Sequence, residues 1–244
     1  MAEEFPRLEW DQEFVFPDPA TADEEGLVGA GGNLSPGMLL SAYRQGLFPW
    51  FTRRGHPYWF SPDPRFVLEP EHLHLSESLR KILKKKVFRV SFDNAFEHVM
   101  QGCSSTARRG QGGTWISKDY FSAYGELHQL GFAHSVEVWA GSSATEPSGE
   151  TLVGGLYGVH LGKVFCGESM FSRVANASKV GFATLIPWLA REFGVRLVDC
   201  QQKTDYLGSF GAHEVPRENF LRQLKTLVEV PGPRAKWSAP TILD

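Results

Sequence analysis

The sequence predicts an α/β protein in which a small N-terminal α+β domain precedes a larger C-terminal domain with a mostly antiparallel sheet. Residues 1–70 are rich in proline, glycine and aromatic residues, whereas the rest of the chain alternates helical and strand patterns. With 244 residues, 42% of them hydrophobic, the chain is long enough for one large domain or two unequal ones. We therefore predict domains at residues 1–70 and 71–244.

The N-terminal domain contains one helix whose ends are marked in the sequence. Ser35 is suited to the N-cap, Pro36 to the first helical position, and Gly46 to a left-handed residue that closes the helix. The preceding GAGG could belong to a nucleotide-binding loop. However, the third glycine of G-x-G-x-x-G would fall on Leu34, and no P-loop lysine follows. A tight turn before the helix explains these glycines as well.

After His72 the hydrophobic spacing changes from helical to alternating and back. Leu161-Gly162 is placed to form the turn of a hairpin, Gly194 ends an apolar helix, and we expect Pro187 to interrupt that helix. The predicted helices cover 76–86, 93–102, 117–130 and 178–193, and the predicted strands cover 133–139, 152–160, 163–171 and 195–201.

The charge of the chain is segregated rather than strongly biased. The net charge of −3 gives no global argument for nucleic-acid binding, yet six of the 25 Lys and Arg residues lie between residues 78 and 92 with no acidic residue among them. This run is typical either of a solvated helix face or of a phosphate-binding patch.

Composition also bears on compartment and on metals. The three cysteines are far apart and form no C-x-x-C pair, so neither a disulfide framework nor a zinc ribbon is indicated. The histidines are scattered without an H-E-x-x-H motif, and we expect no metal. MAEEFPRLEW does not resemble a signal peptide, and VGFATLIPWLA is too short to span a bilayer. These features favour a soluble cytoplasmic protein without a membrane partner.

The first candidate for chemistry is Glu168, which stands in the apolar stretch FCGESMF. Strict strand alternation would place Cys166, Glu168 and Met170 on one face. A buried carboxylate must be paired, hydrogen-bonded or neutralised. Glu168 therefore either forms an internal salt bridge or binds a substrate.

Two other groups are candidates for a binding site. Asp199 and Gln201 share a face at the end of a strand, where α/β domains often bind ligands, although Asp199 could simply cap the following turn. Trp50, Trp59 and Trp115 offer rings for stacking on a base, but each tryptophan could equally belong to the core. A Ser-His-Asp triad is not supported, because the sequence has no G-x-S-x-G elbow.

A series of motifs in one order resembles the leucyl/phenylalanyl-tRNA–protein transferase family. They run from about Leu27 to Leu221, and they are GLFPWF, WFSPDPRFVLEPEHLHLSESL, GTWIS, AYGELHQLGFAHSVEVW, LVGGLYGV, FCGESMFSRVANASKVG, LVDCQ and LGSFGAHEVPRENF. The resemblance implies a C-terminal domain similar in fold to the acetyl-CoA-dependent N-acetyltransferases. It implies transfer of Leu, Phe and, less readily, Met from aminoacyl-tRNA to the N-terminal α-amine of proteins that begin with Arg or Lys. The transfer would mark them for degradation, without a metal or an organic cofactor.

The resemblance also implies roles for individual residues. Trp50 and Trp115 would contact the 3′-terminal adenosine of the tRNA. The central polar groups would be Glu168, Asp199 and Gln201. The basic stretch 79–86 would contact the tRNA backbone, and the pocket for the aminoacyl side chain would be apolar. The basic residues are Arg80, Lys81, Lys84 and Lys85, and the pocket residues are Leu156, Met170, Leu185 and Val198. Related sequences can hold Met and Phe at the positions of Leu156 and Leu185, so the preference between Leu and Phe is not predicted.

The chemistry implied by this resemblance needs no strong base. An α-amine with a pKa near 7.7–8.0 is already about 10–20% neutral at pH 7. We expect Gln201 to orient the attacking amine, Asp199 to fix the Gln201 amide, and Glu168 to bind the α-amine of either the esterified amino acid or the acceptor.

Two rival functions stay open. One is an acetyl-CoA-dependent N-acetyltransferase, although SRVANASKVG lacks the Q/R-x-x-G-x-G/A loop that would grip pyrophosphate. The other is a non-catalytic tRNA-binding module that uses the basic stretch and the tryptophans.

Overall fold

The computed structural model describes residues 4–105, 117–141, 149–232 and 234–238, and the strands within these ranges form two sheets. The small sheet has four strands in the order β1-β2-β4-β3, and the large sheet has seven in the order β11-β5-β10-β9-β8-β7-β6. The strands are β1 Glu4–Phe5, β2 Leu27–Gly31, β3 Phe48–Arg53, β4 His56–Phe60, β5 Arg65–Leu68, β6 Arg89–Phe92, β7 Ala133–Ala140, β8 Thr151–Leu161, β9 Val164–Ser172, β10 Leu197–Gln201 and β11 His213–Val215. The helices are α1 Pro36–Arg44, α2 Glu77–Lys85, α3 Phe96–Ser105, α4 Lys118–Gln129, α5 Ala177–Phe193, α6 Asp205–Gly208 and α7 Arg217–Val228.

Helix α1 begins and ends where the sequence predicts. The Ser35 hydroxyl accepts a hydrogen bond from the backbone N–H of Met38, and Pro36 is the first helical residue. Gly46, with φ +81°, turns the chain toward β3. Of the preceding glycines, Gly29 and Gly31 lie in β2, and only Gly32 lies in the predicted turn before the helix.

The large sheet is mostly antiparallel, as predicted. Strands β6 to β9 are successive antiparallel neighbours, and β10 returns through α5 to pair in parallel with β9. Strand β5 pairs antiparallel with both β10 and β11. Helix α3 packs on one face of this sheet and α5 on the other, which encloses two apolar cores.

Helix α5 differs from the prediction in one respect. We expected Pro187 to interrupt the helix, which is wrong because α5 runs without a break from Ala177 to Phe193. Pro187 lies on the solvent side, whereas Ile186 and Trp188 on either side of it are buried in the second core. Packing on both sides of the proline holds the helix together despite the missing N–H.

The N-terminal part is tied to the large sheet. The first core combines side chains of α1 and the small sheet with side chains of α3, α4 and β8. Strand β5, which precedes residue 70, already pairs in the large sheet. The boundary between domains at residue 70 stays a prediction. Within the described ranges, no helix has the length and apolar character needed to cross a membrane.

Candidate active site

A cavity of about 610 Å³ lies where β9 and β10 stop pairing. The two strands pair in parallel only from Val164 opposite Leu197 to Cys166 opposite Asp199, and the residues that follow on both strands border the cavity. Its size is typical of small-molecule sites. The cavity is lined by Phe48, Pro49, Trp50, Leu156, Tyr157, Phe165, Gly167, Glu168, Ser169, Met170, Phe171, Ser172, Ser178, Phe182, Val198, Asp199, Cys200, Gln201, Gln202, Thr204, Tyr206 and Leu207.

A β-bulge at Glu168 shapes one wall of the cavity. Gly167 pairs with Gly158 and Ser169 with Tyr157, so Glu168 is the extra residue on β9. The predicted common face for Cys166, Glu168 and Met170 is therefore wrong. Cys166 packs in the first core, whereas Met170, beyond the bulge, packs against the second core.

Neutral hydrogen-bond donors hold Glu168 at the cavity wall. The Tyr124 hydroxyl donates to Oε2 at 2.9 Å, and the Gln201 side-chain amide donates to Oε1 at 2.8 Å. Tyr124 is itself hydrogen-bonded to the hydroxyl of Tyr43 on α1. Burial raises the pKa of Glu168 to about 7, although the hydrogen bonds from the two tyrosines and from Gln201 oppose this rise. Both protonation states of Glu168 are thus populated near neutral pH.

Asp199 is held by a buried arginine that the sequence did not single out. Arg65 donates through Nε to Oδ1 at 2.8 Å and through its terminal nitrogen to Oδ2 at 2.6 Å. The guanidinium lies over the rings of Phe48 and Phe220, at 4.9 and 4.5 Å from their centroids. Arg65 is 1% exposed and stands in the apolar stretch RFVL, which was the only sequence signal of its role. A bidentate pair of this kind fixes both partners.

Gln201 is fixed at both its backbone and its side chain. Its backbone, with φ +62°, donates its N–H to Asp199 Oδ1 at 2.9 Å. The amide NH₂ faces Glu168, so the amide oxygen remains as an acceptor. Glu168, rather than the predicted Asp199, therefore holds the side-chain amide.

The apolar end of the cavity contains three of the four predicted pocket residues. Leu156, Met170 and Val198 border it, together with Phe165 and Phe182, which the sequence did not single out. Leu185 does not border the cavity, but it is fully buried in the same second core. The polar groups at this end include the Tyr206 hydroxyl, which donates to the Ser178 hydroxyl at 2.9 Å.

Trp50 and Trp59 occupy different environments, one at the cavity and the other in the core. Trp50 on β3 borders the cavity and packs edge-on against Phe60 at 5.0 Å between ring centroids. Trp59 is fully buried and donates its indole N–H to the Gly31 carbonyl, so it is a core residue. Trp115 lies outside the described residues, and its predicted contact with adenosine stays a prediction.

Helix α2 carries the predicted basic patch on its exposed side. Leu79 is buried and anchors the helix against the second core, and α2 packs on α5. The basic residues do not border the cavity, but α5 supplies Ser178 and Phe182 to its wall. The exposed basic residues are Arg80, Lys81, Lys84 and Lys85.

Other reactive groups lie away from the cavity or are buried. In the part of the chain that the structure describes, no group of three or more His, Cys, Asp or Glu residues could hold a metal ion. All three cysteines are buried, and none of them forms a disulfide. Burial raises the pKa values of the thiols of Cys166 and Cys200, which keeps these two residues protonated and poorly nucleophilic.

The chain is similar to several known proteins. A solved structure with some likeness is that of L-PGS from Bacillus licheniformis, with 11% identity, a TM-score of 0.39, and coverage of 70% of this chain and 58% of that one. The model of the leucyl/phenylalanyl-tRNA protein transferase family matches residues 67–225, and the model of that family's N-terminal domain matches residues 32–63.

Curated members of this family align along nearly the whole chain. The leucyl/phenylalanyl-tRNA–protein transferase of Anaeromyxobacter sp. (strain Fw109-5) is 49% identical over 226 residues, which cover 93% of this chain and 92% of the relative. Its counterpart from Maridesulfovibrio salexigens is 49% identical over 224 residues, with coverage of 91% and 90%. That from Myxococcus xanthus is 46% identical over 230 residues and covers 94% of each chain. The chain therefore belongs to the leucyl/phenylalanyl-tRNA–protein transferase family and is an aminoacyltransferase.

Proposed function

We propose that this enzyme transfers Leu, Phe and, less efficiently, Met from aminoacyl-tRNA to the N-terminal α-amine of proteins that begin with Arg or Lys. The product would be marked for degradation by the N-end rule pathway in the cytoplasm, where aminoacyl-tRNA is made. The main supporting observation is that one cavity combines an apolar pocket with the hydrogen-bonded pair of Glu168 and Gln201. This arrangement suits an aminoacyl ester that carries an apolar side chain and a cationic amine.

The donor side chain occupies the apolar end of the cavity in this proposal. Leu156, Met170 and Val198 border this end, and Leu185 lies in the core behind it. The size of the pocket discriminates between two donor side chains by only about 1–3 kcal/mol of binding free energy per methylene. Rejection of β-branched side chains must therefore come from the shape of the pocket. Trp50 and Trp115 would stack on the terminal adenine, which can contribute about 1–3 kcal/mol.

Glu168 binds the protonated α-amine of the donor in this arrangement, and the acceptor amine is its alternative ligand. A carboxylate has about four lone-pair sites, so the bonds from Tyr124 and Gln201 leave room for an ammonium. A bound cation would favour the ionised form of Glu168 and lower its pKa.

The substitution Glu168→Gln separates these two roles. A large rise in KM for aminoacyl-tRNA, with the acceptor KM retained, indicates a ligand for the donor amine. The opposite pattern indicates a ligand for the acceptor amine, and unchanged kinetics would exclude both roles.

Aminolysis at this site depends mainly on positioning. The neutral acceptor amine attacks the ester carbonyl, the N–C bond forms, the C–O bond to the ribose breaks, and the ribose hydroxyl leaves with the proton. The Gln201 oxygen would accept a hydrogen bond from the amine, while Asp199, whose charge is balanced by Arg65, fixes the backbone of Gln201. Juxtaposition of two substrates contributes up to about 7–11 kcal/mol, whereas proton transfer typically contributes about 10²–10⁴-fold.

The competing functions predict different binding and turnover. A C-terminal fold of the N-acetyltransferase type, which we also propose, would be compatible with acetyl-CoA. However, the turn that leads into α5 is SRVANASK, without the glycines of a pyrophosphate loop. Asn176 at the N-cap of α5 makes no side-chain capping hydrogen bond.

The decisive test is transfer of labelled leucine from Leu-tRNA to a peptide that begins with Arg. A matched peptide that begins with Ala is the control. We expect transfer to the first peptide only. No transfer despite tRNA binding would favour the non-catalytic module, and acetyl-CoA binding by calorimetry would favour the acetyltransferase.

A further inference from the structure

Trp237 lies behind the apolar end of the cavity, twelve residues beyond the segment that the family model matches. It is 3% exposed and belongs to the second core. Its ring lies 6.0 Å from that of Phe165 and 5.0 Å from that of Trp188, measured between centroids. Phe165 borders the cavity, so Trp237 forms a second layer behind the cavity wall.

Phe165 is also confined by Gly158. A Cβ atom at position 158 would lie 2.5 Å from Cζ of Phe165, which means that the phenyl ring packs directly on the glycine backbone of β8. The ring therefore cannot move toward β8. Protein interiors are close-packed, so the space that Trp237 fills is where the Phe165 ring could retreat from the cavity.

Polar contacts fix Trp237 in place. Its backbone N–H donates to Asp93 Oδ2 at 2.7 Å, and the same oxygen is hydrogen-bonded to His134 Nδ1 at 2.7 Å. The His134 ring stacks on the indole with centroids 3.9 Å apart and an interplanar angle of 1°. The segment after α7 is thus pinned to the large sheet at this residue.

We propose that Trp237 is a positioning residue that sets the depth of the aminoacyl pocket, and hence the preference between Phe and Leu, by holding the ring of Phe165 toward the cavity. This inference rests on the proposed assignment of the apolar end of the cavity to the donor side chain. A smaller residue at position 237 lets Phe165 retreat, and the deepened pocket favours the longer aromatic side chain over Leu.

The test is Trp237→Phe, measured as kcat/KM for Phe-tRNA and for Leu-tRNA with one Arg-starting peptide. We expect the ratio of kcat/KM for Phe-tRNA to kcat/KM for Leu-tRNA to rise roughly three- to tenfold. A change of this size corresponds to about one methylene of pocket size or less. Trp10→Phe is the matched control, because Trp10 is 62% exposed, and it should leave the ratio unchanged. Trp237→Met is the second variant if Trp237→Phe folds poorly, because methionine adapts to irregular spaces.

A double variant identifies the route of the effect. Phe165→Leu removes the ring that Trp237 restrains, so adding Trp237→Phe to Phe165→Leu should change the ratio by less than twofold. Equal losses for both tRNAs in Trp237→Phe, or a full additional shift in the double variant, would overturn the inference while leaving the transfer function intact. Failure of the wild-type enzyme to transfer either amino acid would instead overturn the proposed function.

Discussion

At the scale of single residues, the site consists of groups that constrain one another. Glu168 holds the side chain of Gln201, Asp199 holds its backbone, and Arg65 holds Asp199. The sequence indicated Glu168, Gln201 and Asp199 as candidate site residues but not Arg65, since the arginine and its aspartate are 134 positions apart. Tyr124 was missed for the same reason, because helical spacing places it on the buried face of α4 without indicating that its hydroxyl meets Glu168.

The raised pKa of Glu168 makes stability depend on pH. The native carboxyl group binds its proton up to pH about 7, whereas its ordinary pKa is 4.5. Between these values the native state holds more protons than the unfolded chain, so this group destabilises the protein progressively as pH rises through that interval.

We expect Glu168→Gln to remove this pH-dependent loss of stability, because the glutamine amide does not ionise. The free energy of unfolding in urea should rise at pH 8 by about 3 kcal/mol relative to wild type and change little at pH 4.5. The control is Glu126→Gln, because Glu126 is exposed on α4. An equal change at both pH values would contradict the assignment.

The buried ion pair of Arg65 and Asp199 should contribute to stability. Arg65→Met leaves Asp199 buried without its cation, and breaking a buried pair in this way destabilises a protein by about 3–5 kcal/mol. Urea unfolding measures this loss, with the exposed Arg53→Met as the control. A loss below about 1 kcal/mol would show that solvent or another group compensates Asp199.

At the scale of elements, hydrophobic spacing and capping residues predicted helices α1 to α5 and strands β7 to β10, but not the other described strands or helices α6 and α7. Within the predicted elements they missed local departures from regularity. The bulge at Glu168 reverses the face of Met170, and pairing with two neighbouring strands determines such a bulge, which the sequence of β9 alone does not reveal. Likewise, burial of Ile186 and Trp188 keeps α5 continuous through Pro187.

The exposed basic side of helix α2 can be tested for contact with tRNA. If its exposed basic side contacts tRNA phosphates, Lys84→Ala with Lys85→Ala should weaken tRNA binding and reduce the slope of log K against log salt by about 1–2, because fewer counterions are released. Filter binding over a salt series measures the slope. The exposed Lys225→Ala on α7 serves as the control. An unchanged slope would identify α2 as a solvated helix face.

At the scale of the whole molecule, the N-terminal part contributes directly to the site. Tyr43 on α1 is hydrogen-bonded to Tyr124, Trp50 on β3 borders the cavity, and α1 shares a core with α3 and α4. Composition separated residues 1–70 from the rest, yet it could not show that β5 enters the large sheet or that Trp237 packs behind the cavity. These are long-range contacts, which local patterns do not encode.

We infer that this cavity performs aminoacyl transfer, with Gln201 as the group that orients the acceptor amine. The most direct measurement is the rate of leucine transfer from Leu-tRNA to an Arg-starting peptide by wild type and by Gln201→Ala, with tRNA affinity measured in parallel. We predict that the variant loses about 10²-fold or more in kcat/KM while tRNA affinity changes less than threefold, since the substitution removes positioning rather than binding. Transfer by Gln201→Ala at the wild-type rate would exclude Gln201 from this role.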